Sequence, residues 1–283
     1  MHLAETAARL PHHEGMIRRE CVLLVVLVLV GVLAPACDAA ELARRTWVID
    51  GVMREALVSE SAPSSRIRER HPVVLVFHGH GGTMRQAARS MAMHVFWPEA
   101  IVVFPQGLPT PGRLTDPDGR KSGWQREVGD QGDRDLKLVD AMLASLRQSG
   151  RVDDARIFAT GHSNGGAFTY LLWAERADEF AAFAPSAAVL GRGAGTFVPR
   201  PVLHIGSPQD PLVKFAWQSR MIDHVLAVND CGPRLPDAPG YVDYEPRSPR
   251  GAPVAVFLHE GGHGYPAAAP EIIVRFFQAN ACP

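Results

Sequence analysis

Gly161-His162-Ser163-Asn164-Gly165, followed by a second glycine at 166, carries the clearest chemistry in the chain. A predicted strand, "ARIFAT" (155–160), runs directly into it and a helix-like run follows. That is the strand–turn–helix setting in which G-x-S-x-G presents a nucleophile. A serine at so sharp a turn projects its hydroxyl outward, and its neighbours two positions away must be small. The hydroxyl attacks only if a histidine accepts its proton and an acid orients that histidine. Downstream of Ser163 the histidines are His204, His224, His259 and His263. His204 falls within a predicted strand and His224 within a predicted helix, so both read as packed or solvated residues. His263, between Gly262 and Gly264 just after the last predicted strand, is assigned the base, with His259 as the alternative. The acid should lie between nucleophile and base in the chain. Asp210 in "SPQDPLV", directly after the strand "PVLHIG", fits. Asp223 and Asp230 fit less well, and Glu260 stands too close to His263 in sequence.

A second stretch, "FHGHGG" (77–82), permits two chemistries. His78 and His80 could be a His-x-His metal pair. A site of the form His-x-His-x-Asp-His, however, would need Asp and His where Gly82 and Thr83 stand. "HEGGH" (259–263) likewise lacks the helical spacing of a zincin pair, because glycines fill its middle. No metal and no cofactor is therefore expected. The other chemistry is that of a turn whose backbone N–H groups receive developing negative charge, each donor lowering the barrier by about 3–4 kcal/mol. One donor is the N–H of Asn164, after the nucleophile. The second is expected from His80, with Gly81 next, and the two histidine side chains are secondary.

These groups need a scaffold. Short apolar runs at 45–50, 54–59, 72–78, 100–105, 155–160, 180–185, 201–206 and 253–259 read as strands. Residues 135–148 and 271–280 carry apolar residues at helical spacing. Alternation of this kind predicts an α/β architecture, a mostly parallel central sheet with helices on both faces. The first two runs are close enough to form an antiparallel entry pair. Function in such sheets collects beyond the C-terminal ends of the strands. The connection at 186–200 is too short for a cap domain, so the site should be open. The irregular stretch 106–132 exceeds ordinary loop length, and such loops are often functional. Its Trp124 is a candidate substrate-binding platform for an aromatic or sugar ring, or else a pin that fixes the loop to the core.

A chain of 283 residues with 46% hydrophobic content can bury a substantial core. Its formal net charge of −1 provides no field for nucleic acid or an acidic membrane surface. "MIRRE" (16–20), the apolar run 21–34 and "PACDAA" (35–40) have the layout of a secretory signal peptide. The apolar run is too short for a stable membrane span. Residues 1–40 are thus expected to be a signal region, with translation starting at Met16. The mature part, 41–283, is expected to be one secreted or periplasmic catalytic domain; Cys37 is a possible site of lipid attachment. Cys231 and Cys282 then remain as a disulfide pair in an oxidising compartment. Closing that loop would stabilise by roughly 4 kcal/mol.

Together, "FHGHGG", "VVFPQG" (102–107), "SGWQ" (122–125), "RIFATGHSNGGAF" (156–168), "SPQDPLV" and "GGHGYP" (261–266) resemble the polyhydroxybutyrate depolymerase-like and feruloyl esterase group of secreted α/β-hydrolases. The resemblance runs from about Arg45 to the C-terminus. It implies the α/β-hydrolase fold and a serine carboxylic-ester hydrolase in which Ser163, Asp210 and His263 form the triad. Its substrates would be small-molecule or oligomeric esters, namely soluble hydroxyalkanoate oligoesters or feruloyl and acetyl esters of polysaccharides. The acid loop departs from the group's small-residue-then-Asp pattern, carrying Pro208 and Gln209. Two other functions use the same scaffold, a non-catalytic secreted binding protein and a serine peptidase. An intact Ser/Asp/His order argues against the first, and the lack of room for an access-restricting domain against the second.

Overall fold

The computed structural model describes residues 42–59, 70–191 and 196–281. The expected signal region, Cys37 and Cys282 lie outside the described residues. Among the described residues no helix is long and apolar enough to cross a membrane.

The chain opens with β1 (Leu42–Ile49) and β2 (Val52–Ser59), then β3 (His71–Phe77), α1 (Met84–Ser90), α2 (Met93–Phe96) and β4 (Ile101–Pro105). A long excursion follows, containing the two-residue strands β5 (Leu108–Pro109) and β6 (Ser122–Gly123), before α3 (Arg134–Arg147). Next come β7 (Val152–His162), α4 (Asn164–Arg176), β8 (Ala182–Ser186), β9 (Val202–Gly206) and α5 (Phe215–Val228). The chain ends on β10 (Gly240–Tyr244), β11 (Val254–Leu258) and α6 (Ala269–Ala279). The main sheet has the order β1-β2-β4-β3-β7-β8-β9-β11-β10. Its six strands from β4 to β11 run parallel, and the antiparallel pairings are those of β1, β2 and β10 at the two edges.

Both faces of the parallel strands are buried, which is why they read as unbroken apolar runs. Val73, Leu75 and Phe77 of β3 face the layer that holds α3, α4 and α5. Val74 and Val76, one residue out of phase, face the layer of α1, α2 and α6. Helix α6 has a strongly one-sided pattern, burying Ile273, Val274, Phe276 and Phe277.

Two elements lie outside the runs read from the sequence. Strand β10 occupies part of a proline-rich stretch, 232–253, and pairs antiparallel with β11 at the sheet edge. Its residues alternate between half-buried and exposed, and an edge strand tolerates both that polarity and nearby prolines. Helix α1 is short and polar, but Thr83 caps it, its Oγ1 accepting the Gln86 N–H at 3.2 Å. Met84, Ala87 and Ala88 supply the buried face.

The excursion between β4 and α3 is fixed from beneath. Arg54 and Asp135, both fully buried, pair at 2.8 Å. Arg54 also donates to the Gln106 carbonyl, and the second Asp135 oxygen accepts the Gln125 N–H at 2.8 Å. Two ends of the excursion are thereby held on one buried ion pair, whose removal of either partner would leave an uncompensated charge.

The expected Cys231–Cys282 disulfide involves Cys282, outside the described residues, so only the Cys231 side can be described. Cys231 is a buried free thiol, and its Sγ lies 3.4 Å from the Tyr244 carbonyl and 3.5 Å from that of Ala252. The sulfur faces main-chain acceptors between α5 and β10, a setting that suits a thiol.

Candidate active site

The turn between β7 and α4 places Ser163 at φ 56°, ψ −117°, a left-handed conformation that a non-glycine residue adopts only when its surroundings impose it. Those surroundings leave no space for side chains. A Cβ on Gly161 would lie 2.3 Å from the Gly165 carbonyl oxygen, and one on Gly165 would lie 2.2 Å from that of Phe77. The Ser163 N–H donates to the Ser186 carbonyl of the neighbouring strand at 2.8 Å. Helix α4 begins at the next residue, so its positive end lies beside the hydroxyl.

Strands β7, β8, β9 and β11 are consecutive and parallel, so the loops after them meet at one end of the sheet. The loop after β9 brings Asp210, and the loop after β11 brings His263. His263 Nε2 lies 2.9 Å from Ser163 Oγ, and His263 Nδ1 lies 2.8 Å from Asp210 Oδ2. Asp210 is 5% exposed, and its other oxygen accepts the N–H groups of Leu212 and Val213, each at 2.9 Å. A carboxylate only accepts, so it takes the Nδ1 proton and leaves the Nε2 lone pair directed at the serine hydroxyl. Proton transfer from Oγ to Nε2 in this series would generate an alkoxide able to add to a carbonyl carbon. The alternative base, His259, is turned away from this series, and its Nδ1 accepts the Gly261 N–H at 3.1 Å. Asp223 and Asp230 lie beside Arg234 and Arg247 instead.

The glycine-rich turn after β3 borders the same hydroxyl, a Cβ on Gly79 falling 3.6 Å from that of Ser163. The main-chain N–H groups of His80 and Asn164 make no hydrogen bond within the described residues. Gly81 is different and corrects the sequence expectation. Its N–H donates to the Ser122 carbonyl at 2.7 Å, so it is not available as a donor to an oxyanion. The histidine side chains are anchors. His78, whose pKa burial lowers from the ordinary imidazole value, accepts the Gly107 N–H at Nε2. His80 Nε2 lies 3.0 Å from Asp116 Oδ2, tying the turn to the excursion.

Trp124 is not a substrate platform. It is fully buried, stacks on Phe168 at 5.6 Å and donates its indole N–H to the His78 carbonyl at 2.9 Å. Its own N–H donates to Asn164 Oδ1, and Asn164 Nδ2 donates to its carbonyl. The tryptophan therefore pins the excursion against the residue after the nucleophile.

Sequence reading also passed over His162. Its ring centroid lies 5.2 Å from that of His263, and its Nδ1 is 3.2 Å from Ser186 Oγ. Burial, reinforced by the neighbouring His263, pushes His162 down to about 4, and burial does the same to His204. In the unfolded chain both would protonate near 6.5. Between those values the unfolded state binds more protons, so stability falls as pH drops from about 6.5 to about 4. Each histidine should contribute on the order of 3 kcal/mol to that loss. Melting temperature measured across this window should fall steeply, and a flat profile would contradict the buried neutral imidazoles.

No protein-family profile matches the chain. A probable feruloyl esterase C from Aspergillus flavus is 27% identical over 228 residues, covering 74% of this chain and 78% of that protein. A putative esterase, NocK, from Nocardia uniformis is 29% identical over 192 residues, 64% of this chain and 52% of that one. Among solved structures, a ferulic acid esterase superposes with TM-score 0.60 at 14% identity, over 85% of this chain and 98% of that one. A Bacillus cereus carboxylesterase gives 0.56 at 16%, over 80% and 94%. The chain is an esterase of the α/β-hydrolase fold. Its relatives include proteins named feruloyl esterase C and a putative esterase, names that agree with the group its motifs resemble. Fold alone does not separate esterases from peptidases of this architecture. An acylaminoacyl peptidase also superposes, at 0.60 and 15% identity, although the match covers 42% of that longer chain.

Proposed function

We propose that this α/β-hydrolase is a secreted serine carboxylic-ester hydrolase of 41–283 that works through a Ser163-His263-Asp210 triad and an acyl-enzyme. The observation that carries the reading is the unbroken series from Ser163 Oγ through His263 to Asp210, at 2.9 and 2.8 Å, beside two N–H groups, of His80 and Asn164, that make no hydrogen bond among the described residues. Ser163 Oγ adds to the ester carbonyl while its proton passes to His263 Nε2. The N–H groups of His80 and Asn164 receive the oxyanion. Collapse expels the alcohol, which takes the proton back from His263, and water repeats the sequence to free the acid. Asp210 accepts the His263 Nδ1–H hydrogen bond throughout and stabilises the imidazolium.

For substrate, we favour feruloyl or acetyl esters of polysaccharides over soluble hydroxyalkanoate oligoesters. The names of the relatives support this, as does the brevity of the 187–201 stretch, which has too few residues for a cap domain over the serine. The signal-like N-terminus supports export toward such polymers. The test is a panel of methyl ferulate, acetylated xylan, hydroxybutyrate oligomers and a peptide amide. The kcat/KM for methyl ferulate or acetylated xylan should exceed that for hydroxybutyrate oligomers by at least about tenfold, the discrimination a few contacts supply. Faster cleavage of the oligomers would reverse the substrate assignment, and amide cleavage at comparable rates would favour a peptidase.

A further inference from the structure

Behind the candidate acid lies a line of buried polar groups that the proposed mechanism does not use. Asp210 Oδ2 accepts from Gln218 Nε2 at 3.0 Å as well as from His263. The same Gln218 amide nitrogen donates to the Val213 carbonyl at 2.7 Å. Gln218 Oε1 lies 3.3 Å from His204 Nε2, and His204 Nδ1 lies 2.6 Å from the Tyr170 hydroxyl. Gln218, His204 and Tyr170 are all fully buried. They come from three elements, α5, β9 and α4.

The hydrogen-bond directions in this line are forced. Reversing the Gln218 amide would set its oxygen against two acceptors, Asp210 Oδ2 and the Val213 carbonyl. Its oxygen must then be the acceptor toward His204, which requires His204 to carry its proton on Nε2. His204 Nδ1 is left to accept from the Tyr170 hydroxyl. Every donor therefore points toward Asp210, whose two oxygens accept four hydrogen bonds. The backbone makes room for the amide at Gly206, where a Cβ would lie 2.5 Å from Gln218 Oε1.

We propose that Gln218, held by the His204–Tyr170 pair, is a positioning residue that fixes Asp210 Oδ2 on His263 and moderates the carboxylate's hold on the imidazolium. This rests on the triad reading given above. The residues that face these groups are few. His263 faces Asp210, Ser163 and the ring of His162, with Tyr265 edge-on to His162. The Asp210 charge is also felt by His259, and the charge of Arg234 by His204. His162 and His204, pushed by burial to about 4, are neutral wherever the triad can work.

The test compares wild type with Gln218→Met, Gln218→Asn and Tyr170→Phe on a short nitrophenyl ester, with melting temperatures and full pH profiles. Gln218→Met removes one donor from Asp210 and frees the carboxylate to turn. Its kcat should fall about tenfold to a hundredfold, as a misplaced catalytic group costs, with KM changing less than about twofold. A carboxylate relieved of a donor holds the imidazolium more firmly, so the acid limb of kcat/KM should move to higher pH. Gln218→Asn keeps an amide but is one methylene too short to reach Asp210, and should move the limb in the same direction. Tyr170→Phe, one link more remote, should lose about threefold. Should the methionine variant not fold, the ordering of wild type and the asparagine variant decides. An acid limb that stays put in folded variants, with or without a drop in kcat, overturns the proposal. Ser163→Ala, measured in parallel, keeps the two readings apart: if it is inactive while the Gln218 variants keep the wild-type profile, only the positioning role fails. Wild-type activity in Ser163→Ala would overturn the triad itself.

Discussion

Ser163→Ala is expected to lower kcat toward nitrophenyl esters by at least about 10⁴-fold while leaving KM and melting temperature close to wild type. The loss is large because the serine oxygen is the only group in the series able to form the covalent intermediate. Without it, His263 can at best activate a water from a position adapted to a fixed hydroxyl. The fold should tolerate the change. Ser163 holds its place through its main-chain N–H to Ser186, which alanine retains, and Gly161 and Gly165 set the turn whatever the side chain. Residual turnover from the two oxyanion donors and substrate binding should remain measurable above the uncatalysed rate. Steady-state kinetics with a melting curve decide it, and a loss under about tenfold would mean that chemistry passes through another group.

Asp210→Asn should cost about 10⁴-fold in kcat, for a different physical reason. One side-chain oxygen must remain to accept the Leu212 and Val213 N–H groups. The new amide nitrogen then occupies the place of Oδ2, facing two donors, Gln218 Nε2 and the His263 Nδ1 proton. His263 relieves that conflict by moving its proton to Nε2. A proton there points at Ser163 Oγ and leaves no lone pair to receive the hydroxyl proton. The variant should therefore fold, bind ester with near-normal KM and turn over very slowly. A loss of less than about tenfold would transfer the orienting role to another acid.

The groups with local signatures are the ones that the sequence made legible. Ser163 is announced by glycines that the turn needs for steric reasons, and Asp210 and His263 by their places just after strands that converge at one sheet end. The alternating burial of β3 and its neighbours reads the same way, because periodicity is local. What the sequence could not indicate are pairings between distant segments. Gly81 stood next after His80 as a donor until β6 placed the Ser122 carbonyl on its N–H. Trp124 had equal claims as platform or pin, and the clamp with Asn164, forty residues on, made it a pin. Cys231 faces carbonyls brought by β10, an edge strand too polar and too close to prolines to read as a strand. His204 was read as a packed histidine, and it is packed. Its link to Asp210 runs through Gln218, a residue with no signature of its own in a helical stretch.

The central claim is that ester chemistry passes through a covalent bond to Ser163. An activated organophosphonate ester, which adds irreversibly to a serine oxygen held by a triad, tests it most directly. Wild-type protein should lose activity in proportion to label, reach one label per chain, and carry the mass increment on the peptide containing Ser163. The same treatment of Ser163→Ala should leave no increment. Inactivation with the label on any other residue, or full activity in protein labelled at Ser163, would contradict the account.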